Sequence, residues 1–487
     1  MNYPMIFYIL GQVFRIEGAL MLLPALVGLI YQEKNGLVFL VLGACLFAVG
    51  FLLSCKKPKN STIYLKEGCV ITALSWILMS FFGCLPFVYT GEIPKLVDAF
   101  FETVSGFTTT GASIMPDVEI LCHASQFWRC FTHWIGGMGV LVFLLAIIPM
   151  SGGSNINLMR AESPGPSVGK LVPKMRQTAA LLYLIYFAMT ALETLFLVVG
   201  HMNIFDSLCT AFGTAGTGGF GIYRDSFGSQ TPYIQWVVTI FMILFGVNFN
   251  FYFFLLYRYF KKAFKMGEVR AYLGVIFASI ALIVVNTYHM FENVGTAIRH
   301  AAFQVGSIIT TTGFASTDFD LWPETSKVIL ILLMFIGACA GSTGGGIKVS
   351  RFIILIKSIG KELRSYVHPK SVSKISLDGS PVEHEVVRSV NVYFITFTLC
   401  FAASLFIVSF DNKGLVSSFT AIAATINNIG PGLECVGPTQ NYASFSSLSK
   451  LVMIFDMLAG RLELFPMLML FNPKLYMTKP LFLKKTH

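Results

Sequence analysis

Long apolar runs separated by short polar breaks make up almost the whole chain. Two leading runs, about Met5 to Ile30 and Leu37 to Cys55, each reach the roughly 20 apolar residues that a membrane-crossing helix needs. Four units with a common pattern follow, each a long run, a short one that stops at a cluster of Thr, Gly or Asn, and a second long run. The first unit reads Cys69 to Tyr89, Leu96 to Phe107 and Phe127 to Met150; the second Thr178 to Val199, Ile204 to Ala215 and Tyr233 to Tyr257. The third reads Val275 to Met290, Val294 to Ile309 and Val328 to Ile356; the fourth Val392 to Phe410, Leu415 to Ile426 and Leu451 to Leu470. This pattern predicts ten membrane spans and four half-helices, an all-α polytopic membrane protein with fourfold pseudo-symmetric helix, pore loop, helix units around a central pore. The polar breaks divide it into a two-helix unit at 1–65 and repeats at 66–176, 177–268, 269–388 and 389–487.

The short runs end in Thr108-Thr109-Thr110-Gly111, Gly216-Thr217-Gly218-Gly219, Thr310-Thr311-Thr312-Gly313 and Asn427-Asn428-Ile429-Gly430. Non-helical backbone at membrane depth is tolerated only where it is buried in protein or lines a watery cavity, so four such segments predict one shared pore. A potassium ion entering the bilayer must exchange its water for other oxygens, and rings of backbone carbonyls supply them. Small or hydroxylated residues suit such a segment if it is extended, and the glycine permits the positive φ that turns carbonyls toward the axis. No Asp or Glu stands in the four segments, which favours a monovalent cation over calcium.

Composition narrows the class further. The 487 residues are 55% hydrophobic and 12% charged, against about 25% charged in soluble domains. Mean hydropathy is +0.70. A cleavable leader is not expected, because the first apolar run is long and is followed by another. The net charge of +10 is concentrated in alternate loops: Lys56, Lys57, Lys59 and Lys66; Arg160, Lys170, Lys174 and Arg176; Arg258, Lys261, Lys262, Lys265 and Arg270; Arg351 to Lys374; and Lys474, Lys479, Lys484 and Lys485. The intervening loops hold Asp117, Glu119, Asp225, Asp318, Asp320 and Glu434. By the positive-inside rule the basic loops and both termini are cytoplasmic, and no nucleic-acid partner is needed to explain the charge. The ten cysteines have no metal-ligand spacing; Cys122 and Cys435 are candidate exposed thiols, with a disulfide between them as the weaker alternative.

Thirteen residues before each glycine stand Asp98, Asp206, His300 and Ser417, and one residue later the small Ala99, Ser207, Ala301 and Ser418. Asp98 and Asp206 read as helix N-caps or as an attractive field for cations. Gly341-Ser342-Thr343-Gly344-Gly345-Gly346, followed by Ile347-Lys348, must break the third return span, since each glycine costs a helix about 1 kcal/mol. Arg461, deep in the last span, marks function by default, either as a positive barrier beneath a cation filter or in a pair with Asp456 or Glu463. His133-Trp134 with Gly136, Gly137 and Gly139 reads as close helix packing. The polar stretch Gly360 to Val387 reads as a hairpin, either a docking surface for a soluble partner or a solvated linker, with His368, Glu383, His384 and Glu385 too loosely spaced for a metal site.

The strings FETVSGFTTTGAS, TAGTGGFG, GSIITTTGFAS and ATINNIGPG resemble the four pore loops of the bacterial Trk/Ktr/HKT superfamily of potassium transporters. The two leading helices resemble the TrkH branch, since the KtrB branch lacks them. The likeness covers essentially the whole chain. It implies a homodimeric potassium-uptake protein of the bacterial inner membrane, gated by TrkA, a cytoplasmic ring that binds nucleotides. It further implies that Gly341 to Gly346 with Lys348 form an intramembrane gate loop beneath the filter and that Arg461 is an electrostatic barrier. Gly216-Thr217-Gly218-Gly219-Phe220-Gly221 fits G-x-G-x-x-G without a βαβ context, and Ile347 stands where a phosphate-binding loop needs Lys, so nucleotide belongs to the partner. A proton- or sodium-coupled symporter is the alternative on the same architecture. An intramembrane enzyme using His133, His123 or Asp456 lacks a paired catalytic constellation.

Overall fold

The computed structural model of the chain describes residues 1–60, 62–139, 175–369, 374–378 and 380–476. The expected continuation of the first return span to Met150, and the basic residues Arg160, Lys170, Lys174, Lys479, Lys484 and Lys485, lie outside the described residues.

The leading pair is α1 (Tyr3–Leu20) continued by α2 (Leu22–Ile30), packed antiparallel on α3 (Asn35–Ser54). Glycines make this contact. Gly11, Gly18 and Gly28 face Gly50, Gly43 and Gly36, and a Cβ on Gly18 would lie 2.7 Å from the Phe47 amide nitrogen, one on Gly50 2.6 Å from the Gly11 carbonyl. Close backbone approach replaces the hydrophobic effect as the adhesive between helices in lipid. The pair is tied to the rest by Glu33 in its connecting loop, which accepts from the amides of His123 at 2.9 Å and Ala124 at 3.0 Å and so caps the next return helix.

Repeat one comprises α4 (Leu65–Thr90), the pore helix α5 (Leu96–Phe107) and α6 (His123–Met138). Repeat two comprises α7 (Met175–Val199), the pore helix α8 (Ile204–Gly216), α9 (Pro232–Phe245) and α10 (Phe249–Leu256), with α11 (Phe260–Lys265) leading out. In repeat three, α12 (Gly267–Thr287) and the pore helix α13 (Val294–Ile309) precede α14 (Glu324–Phe335) and α15 (Val349–Val367). A minimal hairpin pairs β1 (Ser376–Leu377) with β2 (Ser380–Pro381), and Asp378 accepts from the Gly267 amide at the start of α12. Repeat four is α16 (His384–Val408), the pore helix α17 (Leu415–Ile426), α18 (Ser447–Arg461) and α19 (Phe465–Leu470), ending in α20 (Pro473–Tyr476).

Among the described residues six helices are long and apolar enough to cross a membrane: the leading two and the first of each repeat. The four return spans all break. The first stops at Met138 with Gly139 at φ +83°, and the third opens at 336–348, where the glycine run was expected to interrupt it. Two further breaks correct the expected continuous runs Tyr233 to Tyr257 and Leu451 to Leu470. Between α9 and α10 the chain turns by 90°. Asn248 caps the second half there by accepting from the Asn250 amide at 2.9 Å. Between α18 and α19, Glu463 and Leu464 take φ +56° and +67°. The short pore helices thus meet broken partners at mid-depth, where irregular backbone is enclosed by protein. All ten cysteines are free, and Cys122 and Cys435 are half-buried and unbonded to each other.

Replacing Gly18 by Val forces α1 away from α3; thermal unfolding in detergent should show a loss of about 3 kcal/mol, and Gly274→Val, where a Cβ meets open space, should show little.

Candidate functional site

Each pore helix ends in the same way. The residue two before the conserved glycine is left-handed: Thr109 at φ +56°, Thr217 at +53°, Thr311 at +59° and Asn428 at +55°. Its amide bonds back to a carbonyl three residues earlier, as in Thr109 to Gly106 at 3.1 Å. The next amide reaches five residues back in all four: Thr110 to Ser105, Gly218 to Gly213, Thr312 to Ser307 and Ile429 to Ala424, at 2.8–2.9 Å. This is a Schellman closure, ordinarily built on glycine, here carried by Thr and Asn. A β-branched residue in that conformation costs on the order of 1–3 kcal/mol and persists only where the surroundings enforce it. The glycine then turns left-handed again, at φ +78°, +84°, +86° and +99° for Gly111, Gly219, Gly313 and Gly430. Extended strands were expected. Instead left-handed residues recur at every second position, and such alternation gathers successive amides on one side and their carbonyls on the other, which a pleated strand cannot do.

The four segments close into a ring. A Cβ on Gly111 would overlap the Gly218 carbonyl, one on Gly219 the Thr312 carbonyl, one on Gly313 the Ile429 carbonyl, and one on Gly430 would stand 2.7 Å from the Thr110 oxygen. Each glycine therefore abuts the residue before the glycine of the next repeat, in the cyclic order one, two, three, four. The loops beyond repeat this order. The Arg224 amide donates to Glu119 at 3.1 Å, Phe227 to the Ala315 carbonyl at 2.9 Å, Glu434 to Asp320 at 3.2 Å and Tyr442 to the Ser113 carbonyl at 2.8 Å. Above the ring a cavity of about 110 Å³ touches all four glycines. Its lining includes Arg129 and Arg224 and, among the described residues, no carboxylate.

The acidic residues near the mouth are therefore clasps. Asp98 receives Lys450 Nζ at 2.6 Å, and Asp206 receives the Tyr223 hydroxyl at 2.6 Å. Burial, and then the Asp206 acceptor, hold that hydroxyl above the ordinary phenol range, so it stays a donor. Neither Asp is an N-cap: the N-cap position of α5 is Lys95, without a side-chain bond, and Asn203 caps α8 by accepting from the Asp206 amide at 2.8 Å. His300 meets Ser316 at 2.9 Å and Ser417 donates to Glu434 at 2.5 Å, so from repeat two onward this position ties the pore helix to the loop after its own segment.

Behind the ring, buried polar groups go mostly to backbone. Arg129 pairs with Glu102 at 2.6 Å and donates to the Gly221 carbonyl at 2.9 Å, its guanidinium 3.7 Å from the Phe220 ring centre. His133 accepts from the Phe220 amide at 3.1 Å, which leaves its other nitrogen to donate to the Gly106 carbonyl at 2.7 Å. Asn428 donates to Thr110 Oγ1 and the Met457 carbonyl, both at 2.9 Å. Gly136 and Gly137, read as packing glycines, press against the Phe107 carbonyl and Gly216. Residue type alone did not signal the roles of Arg129 and His133, whose side-chain partners lie 27 or more positions away, or of Glu102, which joins Arg129 to Ser113 and the Ile114 amide.

Beneath the ring the chain of 336–348 is held from all sides. Glu268 accepts from the amides of Ala340 at 2.7 Å and Ser350 at 3.1 Å, and Phe249 donates to the Gly341 carbonyl at 3.0 Å. The Gly345 amide donates to Thr311 Oγ1 at 2.6 Å. Lys348 Nζ donates to the carbonyls of Gly344 and Gly345, the latter at 3.0 Å. Arg461 donates to the carbonyls of Thr343 at 2.9 Å, Gly136 at 2.5 Å and Gly137 at 2.8 Å, so it caps the C-terminus of α6 and grips the loop together. The acids proposed from sequence as its partners are engaged elsewhere, Asp456 with Ser404 at 2.7 Å and Glu463 with Arg351 at 2.5 Å.

The ring makes a contrast testable by thermal stability in detergent. Gly111→Ala should cost several kcal/mol, because it meets both the Gly218 carbonyl and a left-handed backbone. Thr109→Gly should be neutral or gain up to about 1 kcal/mol, since glycine is the unstrained residue for a left-handed cap.

A family model described as TrkH, cation transport protein, matches residues 36–477. The Trk system potassium uptake protein TrkH of Salmonella typhimurium is 36% identical over 484 residues, which cover 97% of this chain and 99% of that one. The protein of the same name from Escherichia coli K12 is 35% identical over 481 residues, with the same coverage of 97% and 99%. The crystal structure of the potassium transporter TrkH from Vibrio parahaemolyticus superimposes with a TM-score of 0.87 at 31% identity, covering 98% of this chain and all of that one. With nearly its full length matched by one family, the chain belongs to the TrkH family of cation transport proteins.

Proposed function

We propose that the chain takes potassium up across a bacterial cytoplasmic membrane through the ring formed by Thr108 to Gly111, Gly216 to Gly219, Thr310 to Gly313 and Asn427 to Gly430. The observation that carries this reading is the cyclic interlock of the four glycines with their neighbours' carbonyls, in segments without a carboxylate. Such a ring offers a dehydrating cation carbonyl oxygens alone, which suits a monovalent ion. Potassium is the named substrate of the relatives, and it is transported cargo here. As a cation transport protein the chain is not an enzyme.

The direction follows from charge. Basic loops and both termini face the cytoplasm, the clasped acidic loops face outward, and the apolar belt of the six long helices faces the lipid. Gly341 to Gly346 lie under the ring on the cytoplasmic side and serve as its gate. Arg461 adds a positive barrier and a mechanical latch. A cytoplasmic TrkA-type nucleotide-binding ring regulates the gate, and the chain works as a homodimer; the resemblance of the pore loops supports both, and the relatives' Trk system name supports a partner subunit.

Purified chain in proteoliposomes should take up labelled rubidium, with potassium competing better than sodium or lithium. Equal competition by all three would sink the selective reading. Gly313→Ser should narrow the gap between potassium and sodium, because its Cβ presses on the Ile429 carbonyl.

Arg461→Ala should release the Thr343 carbonyl and raise flux roughly tenfold with little change in ion preference, the effect of one unit charge at several ångströms in a wet pore. Slower flux in a folded Arg461→Ala protein would contradict the barrier.

A further inference from the structure

We propose that the carbonyls of Gly344 and Gly345 form a second monovalent-cation site below the ring, occupied in this conformation by the ammonium of Lys348 as a tethered cation. The proposal rests on the reading of the ring as a potassium path and adds a site to it.

Lys348 is 2% exposed. A buried ammonium in a membrane protein normally sits beside a carboxylate. Here it donates to two consecutive backbone carbonyls, while the carboxylates nearby are engaged: Glu463 with Arg351, and Glu268 with the amides of Ala340 and Ser350. Its surroundings are therefore those of an alkali cation, neutral oxygen dipoles. An ammonium and a potassium ion carry the same charge, are similar in size and take carbonyl oxygens over similar distances.

Position supports the same reading. A Cβ on Gly344 would stand 3.0 Å from the Thr310 carbonyl, and one on Gly345 2.8 Å from the Asn427 carbonyl. Thr310 and Asn427 begin their ring segments, so theirs are the last ring carbonyls an inward-moving ion would leave. The two glycines that pack against them are the ones whose own carbonyls Lys348 holds. Arg461 takes the adjoining Thr343 carbonyl with a planar fork that also grips Gly136 and Gly137. Lys348 differs, as a compact point charge on a flexible four-carbon stem that can withdraw without dismantling a cap. Its backbone stands at the N-cap of α15, so a shift of that helix would carry the ammonium off the carbonyls.

The test uses full-length protein in proteoliposomes and in crystals soaked with thallous ion, a potassium mimic with strong anomalous scattering. Lys348→Met should raise rubidium flux about tenfold, as expected for removing one charge beside the path. It should also place thallous density on the Gly344 and Gly345 carbonyls, where wild type has none. Lys348→Arg, which keeps the charge, should stay slow. Lys348→Gln supplies a second neutral variant. Thallous density in the ring with the loop carbonyls vacant, unchanged or reduced flux in a folded neutral variant, or fast flux in Lys348→Arg each overturns the proposal. So does failure of both neutral variants to fold, which would make the ammonium a structural support. Absence of potassium-competed rubidium uptake in wild type would instead strike the parent reading of the ring.

Discussion

At the middle of a bilayer no water is available to an open amide or carbonyl, and the centre of this protein is shaped by that scarcity. Four pore helices and four return helices end or break at mid-depth, each exposing the backbone groups that a helix end leaves unmatched. The chain answers with a small set of buried polar side chains aimed at backbone. His133 serves a pore-helix carbonyl and the amide of Phe220, Glu268 serves the amides of Ala340 and Ser350, and Arg461 serves the last carbonyls of α6. The threonine and asparagine hydroxyls and amides of the ring do the same within their own turns, as Thr108 to Val104 at 2.6 Å and Asn427 to Ala423 at 2.9 Å. Polar residues that hydropathy would count as defects are the condition for ending a helix there at all.

The positive charges below the ring follow from the same economy. A carbonyl cluster facing inward is electronegative, and Arg461 and Lys348 neutralise it without any carboxylate that could hold a permeating cation too tightly. Arg351 stands apart from this pattern, paired with Glu463 and stacked 3.9 Å from the Tyr393 ring centre, which joins α15 to α16 and to the break after α18. The glycine run, α15 and the break after α18 are thereby mechanically connected. Force applied at α15 has a short route to the ring.

Much of this was readable from residue order, and the failures have physical reasons. The pore helices could be bounded almost to the residue, because a short apolar run between a polar start and a Thr-Gly or Asn-Gly stop has few other solutions. The break at Gly341 to Gly346 was visible because glycine is costly in a helix. The breaks at Gly246 to Asn248 and at Glu463-Leu464 were not, since nothing in those triplets forbids helix and the tertiary contacts impose the turn. Left-handed Thr109, Thr217 and Thr311 run against intrinsic preference, so local statistics point away from them. Asp98 and Arg461 were recognisable as unusual, but their partners, Lys450 and three carbonyls, sit across the fold, and a carbonyl leaves no mark in a sequence.

Closing the ring with one chain has a consequence for its history. Outside the glycine level the four walls are not all alike: Thr110, Gly218, Thr312 and Ile429 stand at equivalent places, and so do Thr108, Gly216, Thr310 and Asn427. In a homotetramer any substitution strikes all four walls at once. Here a change alters a single quadrant while three intact walls hold the geometry, so the ring can drift by small, separately tolerable steps. Asn427-Asn428-Ile429 beside three threonine-bearing walls makes the field around the axis lopsided, which four identical chains could not do.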